Sequence, residues 1–150
     1  MRGWKRFLLP ALLMTVPYCA HGKQWAVVTN TGNAATNVSA AELLKMFNGH
    51  TRSWPDGKPV IIVIRGSSSE EMQPVLRKLF DMTGTQVHSF IQLHKGMVIE
   101  ADSDDAVIHF VSVTHGAIGV VDLYSLTKDV RVVKIDGKLP VEQGYILRGN

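Results

Sequence analysis

The chain has 150 residues, with 16 Lys and Arg against 13 Asp and Glu, 45% hydrophobic residues and one cysteine. That length suits one domain, and a single cysteine excludes a disulfide-stapled scaffold and a thiolate metal cluster. Three of the basic residues, Arg2, Lys5 and Arg6, precede every acidic residue, and without them the charge is balanced, which argues against a nucleic-acid binder dependent on a cationic surface.

Those three cations stand ahead of a ten-residue apolar run, Phe7 to Val16, the layout of a secretory signal. As a helix the run spans only ~15 Å, too short for a membrane core that needs about 20 apolar residues. Cleavage after Ala20-His21-Gly22 would leave a chain beginning at Lys23, so residues 1–22 are expected to be a signal peptide and 23–150 a single lobe, periplasmic or secreted. The lone Cys19 would leave with the signal. Lipidation at Cys19 is the weaker expectation, because Tyr18 stands where a lipoprotein signal wants a small residue.

After Lys23, Gln24 to Thr29 reads as a strand that runs into the turn-forming segment Asn30 to Asn37. Ser39-Ala40-Ala41-Glu42 has the form of a capping box, and Leu43, Leu44 and Phe47 give the following short helix an apolar face. Trp54-Pro55-Asp56-Gly57 is a turn, and Val60 to Ile64 is continuously apolar, as a strand covered on both faces must be. Helices are expected from Pro74 to Phe80, from about Thr85 to His94, and from Asp102 to Thr114, the last with Asp102, Asp104 and Asp105 at its positive end. Ala117 to Val121 and Val130 to Ile135 complete the strands. Helices interleaved with short apolar strands predict an α/β three-layer sandwich with a mostly parallel sheet.

The stretch from Glu42 to Gly49, then Trp54, then Val60 to Ile64 ending in Arg65 and a serine run, resembles the second lobe of phosphate-binding proteins of bacterial ABC importers. Thr114-His115-Gly116-Ala117-Ile118-Gly119-Val120 resembles a later segment of the same lobe. The resemblance covers roughly Trp25 to Tyr124 and implies the fold of one lobe of a type II periplasmic binding protein. In that family the segment after the strand reads Arg-Ser-Asp-Gly-Ser-Gly-Thr and holds phosphate through an Arg, hydroxyls and helix-terminal amides. The resemblance thus implies an anion site at Arg65, Ser67, Ser68 and Ser69, for phosphate or another small oxyanion. Here Ser67 replaces the family's Asp, and Glu70-Glu71 replace its Gly-Thr.

Two carboxylates there would repel an anion at short range. Pro74 bears on the same loop. With Ser69 as N-cap its ring would clash inside the helix, whereas with Pro74 at the first helical position the serine run becomes a loop. A lone lobe also leaves any ligand open to water, so a docking role on an envelope sensor or transporter component stands as the alternative function.

Other motifs point to structure. The glycines of Thr114 to Gly119 fit a helix C-cap and a small-residue strand. His50, His88, His94, His109 and His115 show no i, i+4 pair, so no metal site is expected. Asp102-Ser103-Asp104-Asp105 opens like a calcium loop, but Val107 stands where the sixth-position Gly is required. Ser125-Leu126-Thr127-Lys128 fits S-x-x-K without its companion motifs. The sequence predicts no cofactor and no catalytic set.

Overall fold

The structure is a computed structural model and describes residues 23–148; the expected signal peptide and its cleavage point lie outside the described residues. Strand β1, Trp25–Asn30, is buried along its whole length. After the two-residue β2, Asn37–Val38, helix α1 spans Ala40–Phe47. Both bonds of the expected capping box form: the Glu42 amide donates to Ser39 Oγ at 3.1 Å, and the Ser39 amide donates to the Glu42 carboxylate at 2.7 Å. Strand β3 is Ile61–Arg65, followed by α2, Gln73–Phe80, and α3, Gly84–Leu93. Helix α3 starts with a second capping box, made by Thr83 and Gln86.

Sequence periodicity gave no sign of β4, Val98–Ala101, an edge strand that pairs in parallel with β3. Four residues ending in Glu-Ala carry too little alternation to stand out; the neighbouring strand completes the element. Helix α4 runs Asp104–Val113 and is capped by Ser103, whose hydroxyl accepts from the Ala106 amide. It therefore starts after Asp102, inside the expected range. Strand β5 is Ala117–Asp122. The single strand expected from Val130 to Ile135 is two, β6 at Val130–Val132 and β7 at Lys134–Ile135. Beyond β6 the chain leaves the main sheet, and β7 pairs with β2.

The main sheet has the order β4-β3-β5-β1-β6. Pairing is parallel for β3 with β4 and β5, and antiparallel for β1 with β5 and β6. Four of the five strands thus point one way, and β1 alone opposes them. On one face Val27, Ile62, Ile64, Ile118 and Val120 pack under α1, α2 and α3, where the Phe47 and Phe80 rings meet edge-on at 5.4 Å. On the other face Val28, Val63 and Val121 pack under Val107, Ile108 and Val111 of α4. This is the expected three-layer α/β sandwich, and it explains why Val60 to Ile64 lacks alternation: both faces of β3 are dry.

Two glycines are sterically required. A Cβ at Gly119 would lie 2.8 Å from Val107 and keep α4 off the sheet. At Gly116 φ is +83°, and a Cβ would come within 2.2 Å of the Pro59 carbonyl. The chain's last segment returns over the three-helix face, where buried Tyr145 accepts a hydrogen bond from the Val27 amide at 3.4 Å. Burial pushes its phenol up to about 12.

Ile62 lies in an interior strand with no solvent exposure. Ile62→Ala is expected to lower the unfolding free energy by about 2–5 kcal/mol through cavity formation, measured by urea denaturation. A loss under about 1 kcal/mol would mean that the sheet interior is not packed as described.

Candidate functional site

Strands β3 and β5 are neighbours, and the chain leaving each goes a different way: from β3 into α2 and α3 toward β4, from β5 through a 3-10 turn at Leu123–Ser125 toward β6. A divergence of this kind at the carboxyl ends of parallel strands opens a crevice, the usual ligand position in open α/β sheets. Arg65 ends β3, Asp122 ends β5, and Asp104 opens α4. Because β1 runs the other way, Lys23 and Trp25 at its start reach the same edge.

These groups form one ion network. Arg65 Nη2 lies 2.7 Å from Glu71 Oε2, and its Nη1 lies 3.5 Å from Asp104 Oδ1. Lys23 Nζ bridges Glu71 at 2.7 Å and Asp122 at 3.4 Å. Both cations also lie 5.7 Å from the centre of the Trp25 ring, which is buried beneath them. Hydrogen bonds from Lys23 and then Arg65 hold the Glu71 carboxyl below the usual carboxylate range, and the same bond from Lys23 raises the lysine. Two cations thus face three carboxylates.

Asp104 is the buried anchor. Its side chain is 8% exposed, and its Oδ2 accepts from the Asp122 amide at 3.2 Å and from Ser125 Oγ at 3.0 Å. Among the described residues its Oδ1 has no hydrogen-bond partner and meets only the Arg65 charge.

The serines stand apart from this network. Ser67 donates its amide to the Glu100 carboxylate at 3.2 Å, and its carbonyl accepts from the Gln73 side-chain amide. The Ser69 amide closes a turn onto the Gly66 carbonyl at 3.0 Å, and the Ser69 carbonyl accepts from the Met72 and Gln73 amides. Pro74 sits in the first turn of α2, whose N-cap is Met72 rather than Ser69. The serine run is therefore a turn ahead of the helix, the outcome that the proline allows most easily. Ser67 and Ser68 line a cleft of about 350 Å³ together with Gln73, Thr85 and His88. Arg65, at the end of β3, faces Glu71 and Asp104 instead, so it is not brought together with Ser67 and Ser68.

Sequence reasoning missed Asp104 as a partner of Arg65, and Lys23 and Asp122 as members of the same network. Asp104 had only the signature of a helix start, and Asp122 that of a strand end. The segment from Thr114 to Gly119 is explained by structure. Asn30 donates to the Val111 and Ser112 carbonyls at the end of α4, and Trp54 Nε1 donates to the Gly116 carbonyl at 2.9 Å. Among the described residues no group of His, Cys, Asp or Glu is arranged to hold a metal, and no helix is long and apolar enough to cross a membrane.

Removing the Asp104 carboxylate leaves Ser125, the Asp122 amide and one side of Arg65 without a partner. Asp104→Ala is expected to cost about 3 kcal/mol of stability and Ser125→Ala about 1 kcal/mol, both read from urea midpoints. Equal losses in the two variants would contradict the anchoring role of Asp104.

Neither a protein-family model nor the sequence of a curated protein matches the chain. Solved structures do. PstS from Borrelia burgdorferi superposes with a TM-score of 0.68 at 21% identity over 85% of this chain and 55% of its own. An ABC-type phosphate transport receptor from Vibrio cholerae gives 0.59 at 19% identity, covering 79% of this chain and 48% of its own. A phosphate-binding protein from Stenotrophomonas maltophilia gives 0.60 at 18% identity over 79% of this chain and 40% of its own. The chain spans about half the length of these proteins. Its fold is that of one part of a phosphate-binding protein of ABC-type transport.

Proposed function

We propose that this chain is an exported solute-binding lobe that takes phosphate or another small oxyanion weakly at Arg65, beside the Gly66–Ser69 turn. The observation that carries the reading is Arg65 itself: a guanidinium at the carboxyl end of β3, at the sheet's divergence point, in a fold shared with solved phosphate-binding proteins. Weak binding follows from the carboxylates. Glu71 and Asp104 already neutralise Arg65, and the Ser67 and Ser69 amides are engaged within the chain. No enzymatic step, cofactor or nucleic acid enters this reading.

A docking role in the envelope is the second reading, favoured by Tyr124. Its side chain is 91% exposed, on the turn between Asp122 and Ser125 at the same edge of the sheet, and exposed aromatics are enriched where proteins meet.

Calorimetry at low salt with inorganic phosphate and sulfate separates the two. The first reading expects a Kd of roughly 1 mM, about 4 kcal/mol, weakened at least about tenfold by Arg65→Ala. No heat with either anion, beside specific retention of an envelope protein that Tyr124→Ala abolishes, would favour docking. Export is tested separately. Mass spectrometry of the protein from the envelope fraction should find Lys23 at the N-terminus, and an intact leader or a diacylated Cys19 would contradict it.

A further inference from the structure

The structure assigns Glu71 as the resident ligand of the Lys23–Arg65 cation pair, a carboxylate of the chain's own that holds the anion position and that an external oxyanion must displace. The assignment rests on the oxyanion reading above and adds its regulation. One oxygen, Glu71 Oε2, takes 2.7 Å contacts from both Lys23 and Arg65, the double cationic cradle that a bound oxyanion would use. Glu71 is also placed to leave. It is half-exposed and sits in the turn ahead of α2, so its side chain can swing into water without unwinding a helix.

The remaining carboxylates are not free to follow. Asp104 is buried and tied to the Asp122 amide and Ser125. Asp122 accepts from the Tyr124 amide at 2.9 Å through its other oxygen. Glu71 is thus the one movable anion in the network. A tethered carboxylate competes at an effective concentration of about millimolar or above, so an external oxyanion at lower concentration loses to it. Neighbouring Glu70 provides an internal control. It is exposed and makes no ion pair among the described residues, and it carries the same charge one residue away.

The test compares the full chain with its Glu71→Gln and Glu70→Gln variants by two readouts: calorimetry with inorganic phosphate, and the ¹⁵N–¹H signals of the Arg65 guanidinium. Glu71→Gln is expected to tighten phosphate binding at least about tenfold and to shift the Arg65 signals in the absence of phosphate. Glu70→Gln should change affinity by less than about threefold and leave those signals in place, since an exposed, unpaired charge acts only through screened repulsion. Equal gains in the two variants would overturn the assignment, because bulk charge would then explain them. Arg65 signals unchanged in Glu71→Gln would overturn it as well, whatever the affinity. Shifted signals with no phosphate binding in any variant would support Glu71 as the ligand of Arg65 and overturn the oxyanion reading instead.

Discussion

Arg65 is the last residue of a strand whose interior is dry on both faces, and this position constrains everything built at the sheet's edge. A guanidinium leaving an apolar strand cannot stay unpaired where it emerges, because an uncompensated, partly buried charge costs several kcal/mol. The turn ahead of α2 and the start of α4 supply the compensation. Asp104 holds it from below, Glu71 from outside, and Trp25 floors the site. Lys23 then stitches Glu71 to Asp122, so that β1, β3, β5, α4 and the α2 turn are joined through charge. Topology places these groups together, since the carboxyl ends of parallel strands and the start of the opposed strand share one edge.

The chain spans about half the length of the solved phosphate-binding proteins with this fold. The edge described here is marked by its balance of charge. Three carboxylates against two cations leave a net negative charge that repels a divalent anion, and the departure of one carboxylate brings the edge to neutral. With Glu71 in place, both cations are already paired with carboxylates of the chain. The same edge carries Tyr124, almost wholly in solvent, so a partner surface and a small anion would meet the same residues.

Much of the fold was legible along the chain. The Ser39–Glu42 capping box, the unbroken run of β3 and the α4 face of Val107, Ile108 and Val111 are local signals, and local signals survive in sequence. Strand β4 was not legible because its register comes from β3. The split between β6 and β7 was not legible because Val130 to Ile135 is uniformly β-forming; which sheet takes each half depends on β1 and β2, far away in the chain. Arg65 could be singled out through its resemblance to a family motif, and Pro74 warned that the serines would form a turn. Asp104 and the Lys23–Asp122 pair were hidden for the same reason as β4: they join the Arg65–Glu71 contact only after the strands have aligned, and no spacing along the sequence records that approach.

An oxyanion that binds at Arg65 must perturb Arg65 and the turn after it. Backbone amide chemical-shift mapping during a phosphate titration at low salt tests this most directly. Shifts are expected to concentrate at residues 65–71, with smaller ones at Asp104 and Asp122 as the network rearranges. Shifts centred elsewhere on the lobe, or none at millimolar phosphate, would contradict binding at Arg65.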